Sequence, residues 1–426
     1  MARPSNGIIG DTIYALSSGA PPAAIAVVRI SGPAAAATLA ALAGALPEAR
    51  RASYRRLRDS RGALLDHALL LWLPGPGTAT GEDLAELHLH GGRAVVAAVT
   101  KVLSERGLRL AEPGEFTRRA LFNGQLDLSE VEGLADLLAA ETESQRREAL
   151  RRADGMLGRQ LDDWMRRLVA IAAAIEAAID YDGEDEVVGQ GATDIVALAE
   201  EIRTALAVPP AERLRDGLRI AIVGPPNAGK STLFNALVGD EAAIVSAVPG
   251  TTRDVIERPL SMGGMPIVLL DTAGIRASSD PIEAAGIERA VRQREVADII
   301  LDLSGEASPA PHVIAISAKA DVVEARHDTL AISAATGSGL AALRHRMTEI
   351  ATSLLPREGD VALDRRYRAA LAIVEGALGA AAGSSDDPLL AAEHVRVART
   401  HLDRLIGGGD VEAMLDALFG RFCLGK

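Results

Sequence analysis

Leu218-Arg219-Ile220-Ala221-Ile222-Val223 runs into Gly224-Pro225-Pro226-Asn227-Ala228-Gly229-Lys230-Ser231-Thr232, and an apolar-periodic segment, residues 233–238, follows. The order is strand, glycine-rich turn of the form G-x-x-x-x-G-K-[ST], then helix, which is a phosphate-binding loop. Glycines let successive backbone N–H groups face a phosphate, and the helix start adds its positive end. Lys230 is expected to reach the β and γ phosphates, with Ser231 on Mg²⁺.

Two further motifs follow in the order a guanine-nucleotide switch requires. Pro249-Gly250-Thr251-Thr252-Arg253-Asp254 offers Thr252 to close over a γ-phosphate and complete the Mg²⁺ shell. The apolar strand Ile267-Val268-Leu269-Leu270 ends in Asp271-Thr272-Ala273-Gly274, an aspartate for the metal and a glycine amide for the γ-phosphate. Base recognition falls on Ser317-Ala318-Lys319-Ala320-Asp321 after a strand at 313–316. Asp321 can accept from guanine donors, and the stem of Lys319 can lie on the base. Ala318 lacks the amide that asparagine would supply, so weaker binding is expected. Ser333-Ala334-Ala335 is the matching loop for the base oxygen. Ile275 stands where many small GTPases carry a water-orienting glutamine, so another residue or ion must do that work. Only residues 304–311 separate the strand at 299–303 from the next. A parallel crossover normally takes a dozen or more, so this part of the fold is expected to be trimmed.

The rest of the 426-residue chain has room for two to four domains. A net charge of -13 argues against a surface coated for nucleic acid, and any such contact needs a local basic patch. Residues 50–61 supply one, with Arg50, Arg51, Arg55, Arg56, Arg58 and Arg61 around Tyr54. A solvated face is the commoner meaning of such a run. The lone Cys423 excludes an internal disulfide. No stretch is long and apolar enough to span a bilayer and no secretion signal opens the chain, so a cytoplasmic protein without a membrane partner is expected.

Before the phosphate loop, strands are predicted at 25–30, 68–73 and 84–90, and helices at 34–46 and 93–106, an α+β pattern. His88 and His90 share a strand face, but no third ligand stands nearby, and a structural role is favoured over a metal site. Leu157, Leu161, Trp164, Leu168, Ile171, Ile175 and Ile179 make one helical stripe that needs partners. Similar character returns in Val411, Leu415, Leu418 and Phe422. Two helical blocks packed together, with the nucleotide domain inserted between them, is the simplest arrangement.

Taken with Asp11-Thr12-Ile13, Val28-Arg29-Ile30-Ser31-Gly32, Gly81-Glu82-Asp83, His90-Gly91-Gly92, Pro113-Gly114-Glu115-Phe116-Thr117, Asn123-Gly124-Gln125-Leu126-Asp127-Leu128 and the ending Phe422-Cys423-Leu424-Gly425-Lys426, the chain resembles the MnmE (TrmE) family of TrmE-Era-like tRNA modification GTPases. The resemblance covers nearly the whole chain. It implies a folate-binding and dimerising domain at 1–118, a helical domain at 119–215 and 351–426, and an inserted Ras-like P-loop GTPase domain at 216–350. It implies a homodimer that works with the flavoprotein MnmG (GidA) at C5 of the wobble uridine (U34) of certain tRNAs, taking a one-carbon unit from 5-formyl- or methylene-tetrahydrofolate.

By the same resemblance Asn227 is a K⁺ ligand, aided by Ser246, Val248 and Thr251, and the ion supplies the charge of an arginine finger. Ser246 and Thr251 also join the nucleotide contacts. Glu283 matches the water-activating acid, although a carboxylate at a helix start also complements the dipole. Arg29, Glu82 and Lys426 match folate contacts, and Gln125 replaces a lysine there, losing a charge-assisted bond. Cys423 matches a terminal cysteine whose role is chemical or merely buried. A ribosome-assembly GTPase, or a regulatory GTPase without modification chemistry, is the alternative. The helical ending argues against the first, while Gln125 and Ala318 suggest the second.

Overall fold

Short alternating runs punctuated by glycine and proline build the first sheet. A computed structural model of the chain describes residues 10–180, 185–240, 256–271, 295–306, 308, 310–384, 386–407, 418–420, 422 and 425. They fall into two compact units, one formed by residues up to Ala135 with the segment after Gly407, the other by Asp136–Gly407.

In the first unit, β1 (Ile13–Leu16), β2 (Ile25–Ser31), α1 (Ala35–Ala43), β3 (Ser53–Arg58), β4 (Leu64–Leu73), β5 (Leu84–His90), α2 (Arg93–Glu105) and β6 (Arg109–Leu110) are followed by α3 (Glu115–Phe122) and α4 (Leu128–Ala139). The sheet order is β3-β4-β5-β2-β1-β6, antiparallel except for β1 with β6. Because side chains alternate, Val28 and Ile30 of β2 and Leu87 and Leu89 of β5 face one side, where α1 and α2 cover them with Leu39, Leu42, Val99 and Leu103. Each such side chain contributes roughly 1.5–3 kcal/mol when fully buried. The opposite face carries Arg29, Glu86 and His88. Residues 50–61, read only as a basic run, supply the edge strand β3, in which Leu57 alone is buried. Leu418 and Phe422 pack with Phe419 against Leu128, Val131 and Ala135 of α4, a cluster separate from the long helical stripe. Val411 and Leu415 lie outside the described residues.

The second unit begins with α5 (Glu143–Ala153), α6 (Met156–Asp180), α7 (Asp185–Ala207) and α8 (Ala211–Asp216). The nucleotide fold follows as β7 (Leu218–Val223), α9 (Lys230–Asp240), β8 (Ile256–Met262), β9 (Met265–Asp271), β10 (Ile299–Asp302), β11 (Val313–Ser317), β12 (Leu330–Ala331) and α10 (Leu340–Leu354). The chain returns to helices in α11 (Arg365–Ala382) and α12 (Pro388–Gly407). The expected stripe is buried from Leu157 to Ile175 against Leu198 and Ile202 of α7, Leu371 and Val374 of α11, and Val395 and Leu402 of α12. Ile179 at its end is 38% exposed. Glu201 accepts from Trp164 Nε1 at 2.9 Å, from Gln160 Nε2 at 2.7 Å and from Arg167, so the buried indole N–H is satisfied.

The second sheet has the order β12-β11-β10-β7-β9-β8, all parallel but for the β8–β9 hairpin. Residues 303–312 connect β10 to its parallel neighbour β11, and no helix occurs among the described residues of that connection, as the short spacing predicts. Helix α5 joins the bundle to the nucleotide fold. Thr142 and Gln145 form a capping box at its start, and Gln145 Nε2 also donates to Arg215 O at 2.9 Å. Ser144 donates to Gly264 O, the tip of the β8–β9 hairpin, through Oγ at 2.9 Å and through its backbone N–H at 3.3 Å. Arg152, 3% exposed, bridges Asp136 at 3.2 Å and Asp364, the α11 N-cap, at 3.5 Å.

Candidate functional site

Strand β7 is central, with β9 on one side and β10 on the other, so the chain reverses direction across the sheet at its carboxyl end. Parallel sheets open a crevice at such a point. The phosphate loop occupies it. Gly224 has φ +147°, and a Cβ there would lie 2.9 Å from Leu303 Cβ, so only glycine lets the loop leave β7 this close to β10. Asn227 adopts the left-handed region at φ +59°, a conformation asparagine tolerates better than most residues. Lys230 opens α9 and folds back, donating from Nζ to Gly224 O at 2.9 Å and Pro225 O at 2.8 Å. Burial pushes its ammonium below the usual lysine range. Ser231 and Thr232 follow with exposed side chains on the first turn. The exposed hydroxyl of Ser231, next to that lysine, is an oxygen donor suited to Mg²⁺.

The base-side motifs follow β11 and β12. Ala320 N–H donates to Ile332 O and Ile332 N–H to Ser317 O, both at 3.0 Å, which holds the two loops side by side. Ser333 is buried, its N–H donating to Ser338 O at 2.9 Å and its Oγ accepting from Thr336 N–H at 3.3 Å. Ala334 and Ala318 rest against the core, while Ala335 and Asp321 are exposed. Lys319, at φ +61°, sends Nζ to Asn227 O at 2.8 Å. Lys319, distant in sequence, is thereby brought to the loop of Asn227, Ala228, Gly229 and Lys230. Ser246, Val248, Thr251, Thr252, Thr272, Ala273, Gly274, Glu283, Cys423 and Lys426 lie outside the described residues.

A second cluster forms on the face of the first sheet opposite α1 and α2, where Phe116 of α3 packs on Ile13 and Ala15. Arg29 donates to Glu86 Oε1 from Nε at 3.1 Å and Nη2 at 2.9 Å, and lies 5.8 Å from the Phe116 ring centroid. His88 Nε2 is 3.2 Å from Glu86 Oε2, and His90 Nδ1 is 2.7 Å from Asp66 Oδ1. Both histidines thus have carboxylate partners, and no metal-holding group of three His, Cys, Asp or Glu occurs among the described residues. Glu82 accepts from Ser31 Oγ at 2.7 Å and Arg119 Nη1 at 3.0 Å. Gly81 before it has φ +76°, and a Cβ there would lie 2.8 Å from Asn123 Cβ and 3.1 Å from Gln125 Cγ, so Gln125 sits directly on the Glu82 turn. Gly425 reaches the same unit's sheet. Ser17 Oγ donates to its carbonyl at 2.8 Å, and a Cβ would be 2.2 Å from Leu16 O.

Sequence reasoning missed the buried network behind Glu82. Arg119, 4% exposed, also donates to Asp11 Oδ1 at 2.6 Å and Glu115 Oε1 at 3.0 Å, and Arg109 donates to Glu115 Oε1 at 2.6 Å. Burial opposes ionisation of Glu115, yet the bonds from Arg109, the Glu112 amide and Arg119 outweigh it and hold the carboxyl below the usual range. Burial likewise opposes the charge on Arg119, and Glu82, Glu115 and Asp11 overcome it. The i,i+4 pair Glu115 and Arg119 was the visible signal. Its partners at Asp11 and Glu82 were too distant in sequence to be read.

Comparison with known proteins finds relatives along nearly the whole chain. The family model for the GTP-binding protein TrmE N-terminus matches residues 12–125, and that for the MnmE helical domain matches residues 128–423. The tRNA modification GTPase MnmE of Erythrobacter litoralis is 52% identical over 424 residues, 98% of this chain and 100% of that protein. That of Sphingopyxis alaskensis is 54% identical over 419 residues, 94% of this chain and 100% of its own. Among solved structures, the G domain of the T. maritima FeoB iron transporter aligns at 25% identity with TM-score 0.24, over 32% of this chain and 98% of that one. With a helical-domain match across most of its length and relatives at about half identity spanning nearly all of it, the chain belongs to the MnmE family of tRNA modification GTPases.

Proposed function

We propose that the chain hydrolyses GTP to GDP in a K⁺-dependent reaction that serves modification of the wobble uridine of certain tRNAs, acting as a cytoplasmic homodimer with an MnmG-type flavoprotein. The observation that carries the nucleotide reading is the bond from Lys319 Nζ to Asn227 O, which ties the base-side motif to the phosphate loop. Lys230 already donates to the loop's own carbonyls and can exchange them for phosphate oxygens at little reorganisation cost. Ser231 and Thr252 are assigned to Mg²⁺, with Asp271 acting through water. Asn227, Ser246, Val248 and Thr251 are assigned to K⁺, and Glu283 to the attacking water. Thr272, Ala273 and Gly274 are assigned to the γ-phosphate side, and Asp321, Ser333, Ala334 and Ala335 to the base.

Arg29, Glu82, Gln125 and Lys426 are assigned to a tetrahydrofolate. The fit rests on Glu82, a half-buried carboxylate aimed by Ser31 and Arg119, which can accept from paired N–H donors such as a pterin carries. The bound folate supplies the one-carbon unit; Glu82 and Arg29 orient it. Cys423 is kept as a candidate for a direct role. The four-segment division at residues 118, 215 and 350 belongs to the same reading. A regulatory GTPase is the second reading, favoured by Gln125 packed on Gly81 in place of a charged group. The test is wobble-uridine analysis in a deletion strain that expresses this chain at normal levels. Modified uridine is expected, and unmodified uridine overturns the proposal in favour of the second reading.

A further inference from the structure

Neither the nucleotide site nor the folate candidates use the basic edge of the first sheet. Residues 50–61 hold six arginines and one aspartate in a chain of net charge -13. The run contains β3, an edge strand of the sheet, where Tyr54 is 65% exposed and Arg55, Arg56 and Arg58 are all exposed. The single local carboxylate is already engaged, since Asp59 Oδ1 accepts from the Arg61 and Ala63 amides at 2.9 and 2.8 Å. Arg55 and Arg58 donate only to the neutral carbonyls of Tyr54 and Gly62, at 3.2 and 2.7 Å. None of Arg55, Arg56, Arg58 and Arg61 forms an ion pair with a carboxylate among the described residues, whereas Arg51 pairs with Glu48 at 2.9 Å.

An edge strand needs a charge or two to discourage pairing with another chain. An uncompensated arginine run exceeds that need, because every added like charge raises self-repulsion. Guanidinium groups bind phosphates with paired N–H donors, and an exposed ring offers a face to an unstacked base. Tyr54 lies beside His67, ring centroids 6.0 Å apart at 35°. Strand alternation puts Tyr54 and Arg56 on one face and Arg55 on the other, so positive charge wraps the edge.

We propose that the β3 edge, through Tyr54, Arg55, Arg56 and Arg58, docks the phosphate backbone of tRNA. The proposal rests on the reading that the chain acts on tRNA. Surrounding negative charge repels RNA elsewhere, so the edge sets the substrate's orientation as well as its affinity.

The test measures binding of an unmodified tRNA transcript to the full chain without nucleotide, over a sodium chloride series. Each phosphate contact contributes about 0.9 to the slope of log affinity against log salt on duplex and about 0.7 on single strand. The Arg55→Ala/Arg56→Ala/Arg58→Ala variant should bind at least about tenfold more weakly at low salt, with a slope flatter by roughly two to three. Its GTP hydrolysis and sedimentation should match the parent. Tyr54→Ala should weaken binding without changing the slope, and Tyr54→Phe should restore it. Parental affinity and slope in the triple variant overturn the proposal, as does a change of oligomeric state, which would assign the edge to contact between two copies. A triple variant that binds normally while the parent modifies uridine sinks the docking edge alone. A parent that binds through this edge yet leaves uridine unmodified sinks the functional reading alone.

Discussion

Asn227 combines a left-handed backbone with an exposed side chain, and those two properties can be separated by substitution. Asn227→Gly keeps the φ of +59° without strain and removes the amide oxygen. GDP affinity should stay within about threefold, because the phosphate-facing backbone is retained, while stimulation of hydrolysis by K⁺ disappears. Persistent K⁺ stimulation in that variant removes Asn227 from the ion's shell. Glu115 tests a different kind of site. Its folded carboxyl titrates below the ordinary value of 4.5, so its stabilisation is present above that value and is lost as pH falls through the depressed folded one. The full chain should melt progressively lower from about pH 4.5 downward. Glu115→Gln should lower stability by about 3 kcal/mol at pH 7 and blunt the acid dependence. An unchanged melting profile for this variant would show that Arg119 keeps its place through Asp11 and Glu82 alone.

At the scale of elements, α5 is the coupling piece, since its first turn holds both Gly264 and Arg215. The Ser144→Ala/Gln145→Ala variant should leave nucleotide affinity unchanged and speed hydrogen exchange in the β8–β9 hairpin and in α8. Unaltered exchange there would make α5 a passive neighbour. Other elements differ in how far sequence betrays them. Strand β5 was legible to the residue because Ala85, Leu87 and Leu89 alternate with Glu86, His88 and His90, and β7 because a phosphate loop announces it. Strand β3 was hidden because three of its six positions are exposed arginines and only Leu57 is buried. Strand β1 was hidden for the opposite reason, being buried on both faces from Ile13 to Ala15 and so showing no alternation. The nucleotide motifs are local and therefore readable. The Arg119 network is not, because it is assembled from Asp11, Glu82 and Glu115 across two loops and a helix.

For the molecule as a whole, the reading predicts that hydrolysis depends on a cation rather than on a glutamine, since Ile275 has no polar side-chain atom. Rates in K⁺ should exceed those in Na⁺ by at least roughly tenfold, the scale of losing one charge stabiliser at a transition state. Equal rates in the two salts would return the search for a catalytic group to the protein's own side chains. The hairpin between β8 and β9 bears on how such a protein can vary in evolution. Gly263 and Gly264, at φ +57° and +79°, make a tight turn of the kind where strands ordinarily accept inserted residues. Here the turn is also a latch, because its last carbonyl is held by Ser144. One extra residue would withdraw that carbonyl, so length at this tip and identity at position 144 should change together among relatives or not at all.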